Sequence, residues 1–151
     1  MDFSKLKKYD SKKMYEIYDK WPEIAEKSFH AEQKILNFEN INHIVFAGMG
    51  GSGSIGDVFA SILSKTNIHV SVVKGYLLPN TVDENSLVIV TSISGNTVET
   101  LTILHTAKEK NCEIIAISSG GKMEKYCEEN NIDFRKITKN HSPRASFTGF
   151  L

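Results

Sequence analysis

The chain has 151 residues, 40% hydrophobic and 24% charged, which fits one soluble globular domain with room for a core and argues against a disordered chain. Eighteen basic residues balance eighteen acidic ones, so the net charge is zero and there is no global electrostatic drive toward nucleic acid or an anionic membrane. Cys112 and Cys127 sit far apart with no CxxC or HxxxH spacing, which argues against a disulfide framework and a zinc site; no metal is expected.

No apolar stretch approaches membrane-spanning length, and the start MDFSKLKKYD lacks the apolar core of a signal peptide. A cytoplasmic chain with reduced thiols is the expectation. The first forty residues read as helical. Lys5, Lys7, Lys8, Lys12 and Lys13 form a solvated face there. Met14, Ile17, Tyr18 and Trp21 recur at helical spacing until Pro22, which suits the first turn of a second helix running to about Phe38. Ile24, Ser28, Ala31 and Ile35 would form the inner face of that helix.

From Asn42 short apolar strands alternate with longer helical stretches. Strands are predicted at 43–48, 68–74, 86–92, 113–118 and 132–137, with helices at 54–65, 96–110 and 121–130. The strands are almost continuously apolar, as in a parallel sheet covered on both faces. The pattern predicts a doubly wound α/β sheet of five parallel strands. Three segments result: a helical lead over 1–40, an α/β domain over 41–140 and a tail over 141–151. The tail, HSPRASFTGFL, is turn-like through Pro143 and then apolar, and reads as a boundary cut within a longer chain.

Two loops carry the chemistry. The first, in IVFAGMGGSGSIGD (44–57), links strand to helix, and its glycines let an anion approach backbone amides at a helix N-terminus. Ser54 and Asp57 have capping-box spacing. Gly48, Gly50 and Gly53 also fit G-x-G-x-x-G, but a dinucleotide site needs an acid at the end of the second strand to hold the ribose. None occurs between Asp57 and Asp83, and no Gly-Lys-Ser/Thr follows as a Walker loop would require. The second loop, TSISGNTVET (91–100), again precedes a helix, with Asn96 and Glu99 at the spacing of an N-cap and its partner. For strand order 2-1-3-4-5, the two loops face each other at the switch point. Ser52, Ser92, Ser94 and Thr97 would then form a neutral cradle for one phosphate.

Together, GMGGSG (48–53), SISGNTVET (92–100), ISSGG (117–121) and SPRAS (142–146) resemble the sugar isomerase (SIS) domain, and more narrowly the amino-terminal half of bifunctional phosphoglucose/phosphomannose isomerases. The resemblance implies a flavodoxin-like three-layer sandwich whose tail leads toward a second SIS domain, in an enzyme that dimerises and needs no cofactor. It assigns the substrate phosphate to the glycine loop, Gly50, Gly51 and Ser52, and to Ser92, Ser94 and Thr97. Ile93 stands where the family usually has an aromatic residue. Arg144 would stabilise the cis-enediolate of aldose–ketose isomerisation, and Arg135 is read as an edge or salt-bridge residue. The family's catalytic glutamate and ring-opening histidine lie in the second domain. Glu99 is assigned to capping, His141 to an exposed turn, and His30, His43, His69 and His105 to structural roles. The expected ligand is glucose, mannose or fructose 6-phosphate. Two alternatives stay open: a non-catalytic SIS sensor of a sugar phosphate, and an isomerase of arabinose 5-phosphate or an amino sugar.

Overall fold

A computed structural model describes residues 8–32 and 35–150. Lys5, Lys7 and Leu151, noted above, lie outside the described residues. Among the described residues, helices α1 (Met14–Asp19) and α2 (Trp21–Phe29) precede β1 (His43–Gly48). Then follow α3 (Gly51–Leu63), β2 (His69–Val73), β3 (Ser86–Ser92), α4 (Val98–Glu109), β4 (Glu113–Ser118), α5 (Gly121–Asn130) and β5 (Asp133–Lys136). A 3₁₀ turn over Phe147–Phe150 ends the described chain. All five strands are parallel, in the order β2-β1-β3-β4-β5.

Each strand presents alternate residues to opposite faces. One face places Val45, Ala47, Val88, Val90, Ile114 and Ala116 against Ile103, Leu104 and Ala107 of α4 and Met123 and Cys127 of α5, all buried. On the other face α3 crosses β1 and β2 so closely that a methyl group on Gly56 would sit 2.8 Å from Phe46 Cβ. Beside α3, an open trough of about 820 Å³ runs between α2, β4 and β5, lined by Ile24, Ser28, Ala31, Ile115, Ile117 and Phe150. Burial raises the Cys127 thiol to about 11, which keeps it protonated.

The break before Trp21 lies where Pro22 predicts it, but α2 ends at Phe29 rather than near Phe38. Beyond it the chain turns extended: Leu36 and Phe38 are half-buried while Ile35, Asn37 and Glu39 are exposed, a period of two rather than 3.6. Ile35, expected on the inner face, is 85% exposed. The chain must travel along the sheet to enter β1, and an extended segment covers more distance per residue than a helix. Lys8, Lys12 and Lys13 are exposed, but Lys12 lies in a turn and Lys13 adopts φ +56 just before α1, so the expected continuous helical face is broken there. Among the described residues no helix is long and apolar enough to cross a membrane.

At the amino end of the sheet, His43 of β1 is 3% exposed and lies opposite His69 of β2, with the rings stacked at 4.3 Å. His43 Nε2 is 2.9 Å from Ser71 Oγ. Burial first, then the neighbouring His69, holds the His43 pKa below the ordinary value, against smaller opposing effects of Thr81 and Asp83. The fold therefore favours neutral His43, and the unfolded chain binds the extra proton once pH falls through about 6.5. Thermal midpoints measured between pH 7.5 and 5.5 are expected to fall in that window, and His43→Gln is expected to flatten the decline.

Candidate functional site

The glycine loop leaves β1 at Gly48, and Gly51 to Gly53 already form the first turn of α3. The helix thus begins three residues earlier than the sequence pattern predicts. The expected capping box does not form. Ser54 Oγ bonds back to the Gly50 carbonyl at 3.3 Å inside the helix, and Asp57 pairs with Lys74 at 2.5 Å. No side chain caps this N-terminus. The Ser52 and Gly53 amides donate to the Met49 carbonyl at 3.1 and 3.4 Å, so what this end offers an anion is chiefly the partial positive charge of the helix dipole. Ser52 is buried, 6% exposed, in that first turn.

The two loops are tied together by a residue that sequence reasoning passed over. Buried Thr91, the last residue but one of β3, sits opposite Gly48 in the sheet. Its hydroxyl shares its proton between the carbonyls of Ala47, at 3.2 Å, and Ser52, at 3.1 Å. Gly48 must lack a side chain because a Cβ there would collide with Thr91 Oγ1 and the Ser52 backbone. The signal was a threonine immediately preceding the hydroxyl loop, but its partners lie 44 and 39 residues away.

In the second loop Ser92 Oγ and Thr97 Oγ1 lie 3.0 Å apart and hydrogen-bond each other. Ser92 Oγ also accepts from the Gly95 amide at 3.2 Å, and Ser94 Oγ from the Asn96 amide at 3.2 Å. Helix α4 starts after Thr97 with no side-chain cap. The expected Asn96–Glu99 cap is absent. Asn96 Oδ1 instead accepts from the Lys122 amide at 3.1 Å and so caps the neighbouring helix α5. The Glu99 carboxylate meets the Tyr76 hydroxyl, and its charge raises the Tyr76 pKa.

The ISSGG turn braces this loop from behind. Ser119 donates twice to the Ile93 carbonyl, through its amide at 3.2 Å and its hydroxyl at 2.5 Å, and the Met123 amide donates to the Gly95 carbonyl at 2.9 Å. Gly95 adopts φ +64, and a Cβ there would collide with the Gly120 carbonyl. Ile93 is buried in this packing, 2% exposed.

Arg144 reaches the same end of the sheet from the tail. Its Cα lies 3.8 Å from where a Cβ on Gly51 would stand, and its side chain is exposed. Arg135 pairs with Asp133 at 2.6 Å on β5, as an edge residue does. His141 is exposed in a turn at φ +39. The trough beside α2 includes none of the loop residues and is separate from this site. The structure thus gathers Gly50, Gly51, Ser52, Ser92, Ser94, Thr97 and the Arg144 backbone at the carboxyl edge of β1 and β3. Two helix N-termini without side-chain caps, with hydroxyls beside them, make a neutral surface whose chemistry suits a dianion.

A strand-order switch with hydroxyl-lined helix N-termini on both sides defines the class. The SIS domain model matches residues 37–150, and the chain belongs to the SIS domain family. It is 37% identical over 137 residues to the bifunctional phosphoglucose/phosphomannose isomerase of Caldicellulosiruptor bescii, covering 88% of this chain and 40% of that protein. It is also 30% identical over 135 residues to the D-glucosamine-6-phosphate 4-epimerase of Sulfolobus acidocaldarius, covering 89% of this chain and 42% of that protein. The chain therefore spans about two-fifths of the length of these relatives. Among solved structures, the carboxy-terminal domain of glucosamine-fructose-6-phosphate aminotransferase from Francisella tularensis matches with a TM-score of 0.66 at 23% identity, over 90% of this chain and 44% of that one. That match shares the fold.

The brace behind the hydroxyl loop has a direct stability consequence. Gly95→Ala combines a left-handed backbone with a collision against the Gly120 carbonyl, and is expected to cost at least about 2 kcal/mol in urea unfolding.

Proposed function

We propose that the chain holds the phosphate of a hexose 6-phosphate for an aldose–ketose isomerase that interconverts glucose 6-phosphate and mannose 6-phosphate with fructose 6-phosphate. The observation that carries this reading is the pair of uncapped helix N-termini joined through Thr91, with Ser52, Ser92, Ser94 and Thr97 around them. Amides and hydroxyls bind a phosphate dianion without a lysine, which suits a metabolite that must be released again. Helix dipoles favour the charge by roughly 0.3–1 kcal/mol each at exposed sites. The printed names of the relatives support the same substrate class.

Isomerisation removes a proton from C2 of the aldose and returns one to C1, while a hydroxyl proton moves between O1 and O2. The chemistry balances without oxidant or reductant. The cis-enediolate between the two steps carries an oxyanion, and Arg144 would neutralise it. The base is not assigned to this chain: Glu99, the nearest acid in the second loop, is engaged by the Tyr76 hydroxyl. By the resemblance, the base and the ring-opening histidine belong to a second SIS domain, and the parent enzyme is a cytoplasmic homodimer.

Titration with fructose 6-phosphate, followed at backbone amides, is expected to shift residues 50–53 and 92–97. Thr97→Val is expected to weaken binding about three- to tenfold, the loss of one hydrogen bond. Silence in those loops with responses elsewhere would refute the cradle. A coupled assay of the 151 residues alone is expected to detect no turnover of fructose 6-phosphate, and measurable turnover would overturn the placing of the base outside this chain.

A further inference from the structure

The amino-terminal helices touch neither loop through any hydrogen bond among the described residues, yet they grip the turn that carries Arg144. Trp21 Nε1 of α2 donates to the Ala145 carbonyl at 2.9 Å, across 124 residues of sequence. On the other side of Arg144, Ser142 Oγ accepts from the Ala145 amide at 3.3 Å and donates to Met14 Sδ of α1 at 3.5 Å. The Trp21 ring lies 6.2 Å from that of Phe147, and Tyr18 packs edge-on against it at 4.7 Å. Ser146 Oγ completes the turn, with contacts of 2.9 Å to the Asn140 amide and to the carbonyls of Asn140 and Ser142. Ala145 and Ser146 are fully buried, while Arg144 between Pro143 and Ala145 is exposed. The backbone is therefore fixed on both sides of a side chain left free to reach outward.

We propose that Trp21 is a positioning residue for Arg144: the indole N–H and ring seat the 142–147 turn over the glycine loop, so that the guanidinium stands above the phosphate cradle. This rests on the sugar-phosphate reading and adds a task for the helical lead. The turn joins no strand, so without Trp21 its backbone would keep its local hydrogen bonds and the Ser142 contact with Met14 Sδ but lose the bond that holds the Ala145 carbonyl. A charged group displaced by about 1 Å can lose about 10²-fold in rate, so an arginine on a short turn needs such a seat. The phosphate cradle has its own support in Thr91 and the ISSGG turn and does not depend on Trp21.

That separation sets the test. The whole 151-residue chain is titrated with inorganic phosphate and with 5-phosphoarabinonate, a sugar-acid phosphate whose carboxylate places negative charge where the enediolate oxygen would lie. The unsubstituted chain is expected to prefer the sugar acid, and Arg144→Met to abolish the preference. Trp21→Phe keeps a ring but loses the donor. It is expected to reduce the preference about three- to tenfold while leaving the affinity for inorganic phosphate unchanged. If that variant does not fold by far-ultraviolet circular dichroism, Phe147→Leu, which retains the hydrogen bond, is expected to reduce the preference in the same way. Full retention of the preference in a folded variant overturns the role of Trp21, and so does an equal loss toward both probes. No response at residues 50–53 or 92–97 to either probe in the unsubstituted chain overturns the sugar-phosphate reading itself. Equal affinity of the unsubstituted chain for the two probes overturns the role of Arg144.

Discussion

The site depends on one buried hydroxyl. Thr91 Oγ1 reaches across from β3 to the carbonyls that flank the glycine loop, and Gly48 leaves the room for it to do so. A parallel sheet aligns the ends of β1 and β3 but does not itself fix the loops that leave them. The Thr91 bridge couples the first turn of α3 to the end of the strand from which Ser92 continues. Removing a buried hydroxyl from two carbonyls leaves both without that partner, at a cost of about 1–3 kcal/mol for each group left unsatisfied. The geometry of both loops at the carboxyl ends of β1 and β3 follows from this contact.

Around it the polar groups are divided by task. Polar side chains that could have capped α3 and α4 do not: the Ser54 hydroxyl turns back into its own helix, and the Asn96 carboxamide caps α5 instead. The two helix ends aimed at the switch point are left without side-chain caps, whereas α5, which braces the loop, receives one from its neighbour. Stability that local capping would have supplied is replaced by tertiary bracing through Ser119, Met123 and Thr91.

The amino-terminal helices fit the same division. They border the sheet on the face left open between α3 and β5, and Trp21 carries the one indole of the chain to the tail. Two segments at opposite ends of the sequence meet there, which gives the isolated arginine of the tail a fixed backbone beside Gly51.

The sequence by itself determined the element order, the parallel sheet and the two loops. Runs such as IVFA and LVIV can be satisfied only inside a covered sheet, and glycine-rich breaks mark the turns where strands give way to helices. The missing acid after β2 argued against a dinucleotide site on residue types alone. Tertiary structure decided what those residues bond to. Helical periodicity through Ile35 carried on past the point where the chain turns extended along the sheet, and cap spacing at Ser54–Asp57 and Asn96–Glu99 named partners that other elements claimed. Lys74, Lys122 and Tyr76 lie 17, 26 and 23 positions from the residues they engage. Short-range pattern sees only neighbours within a turn of helix or a step of strand. Thr91 and Trp21 acquire their roles from contacts 39 and 124 residues distant, which exist only once the sheet has brought its carboxyl ends together.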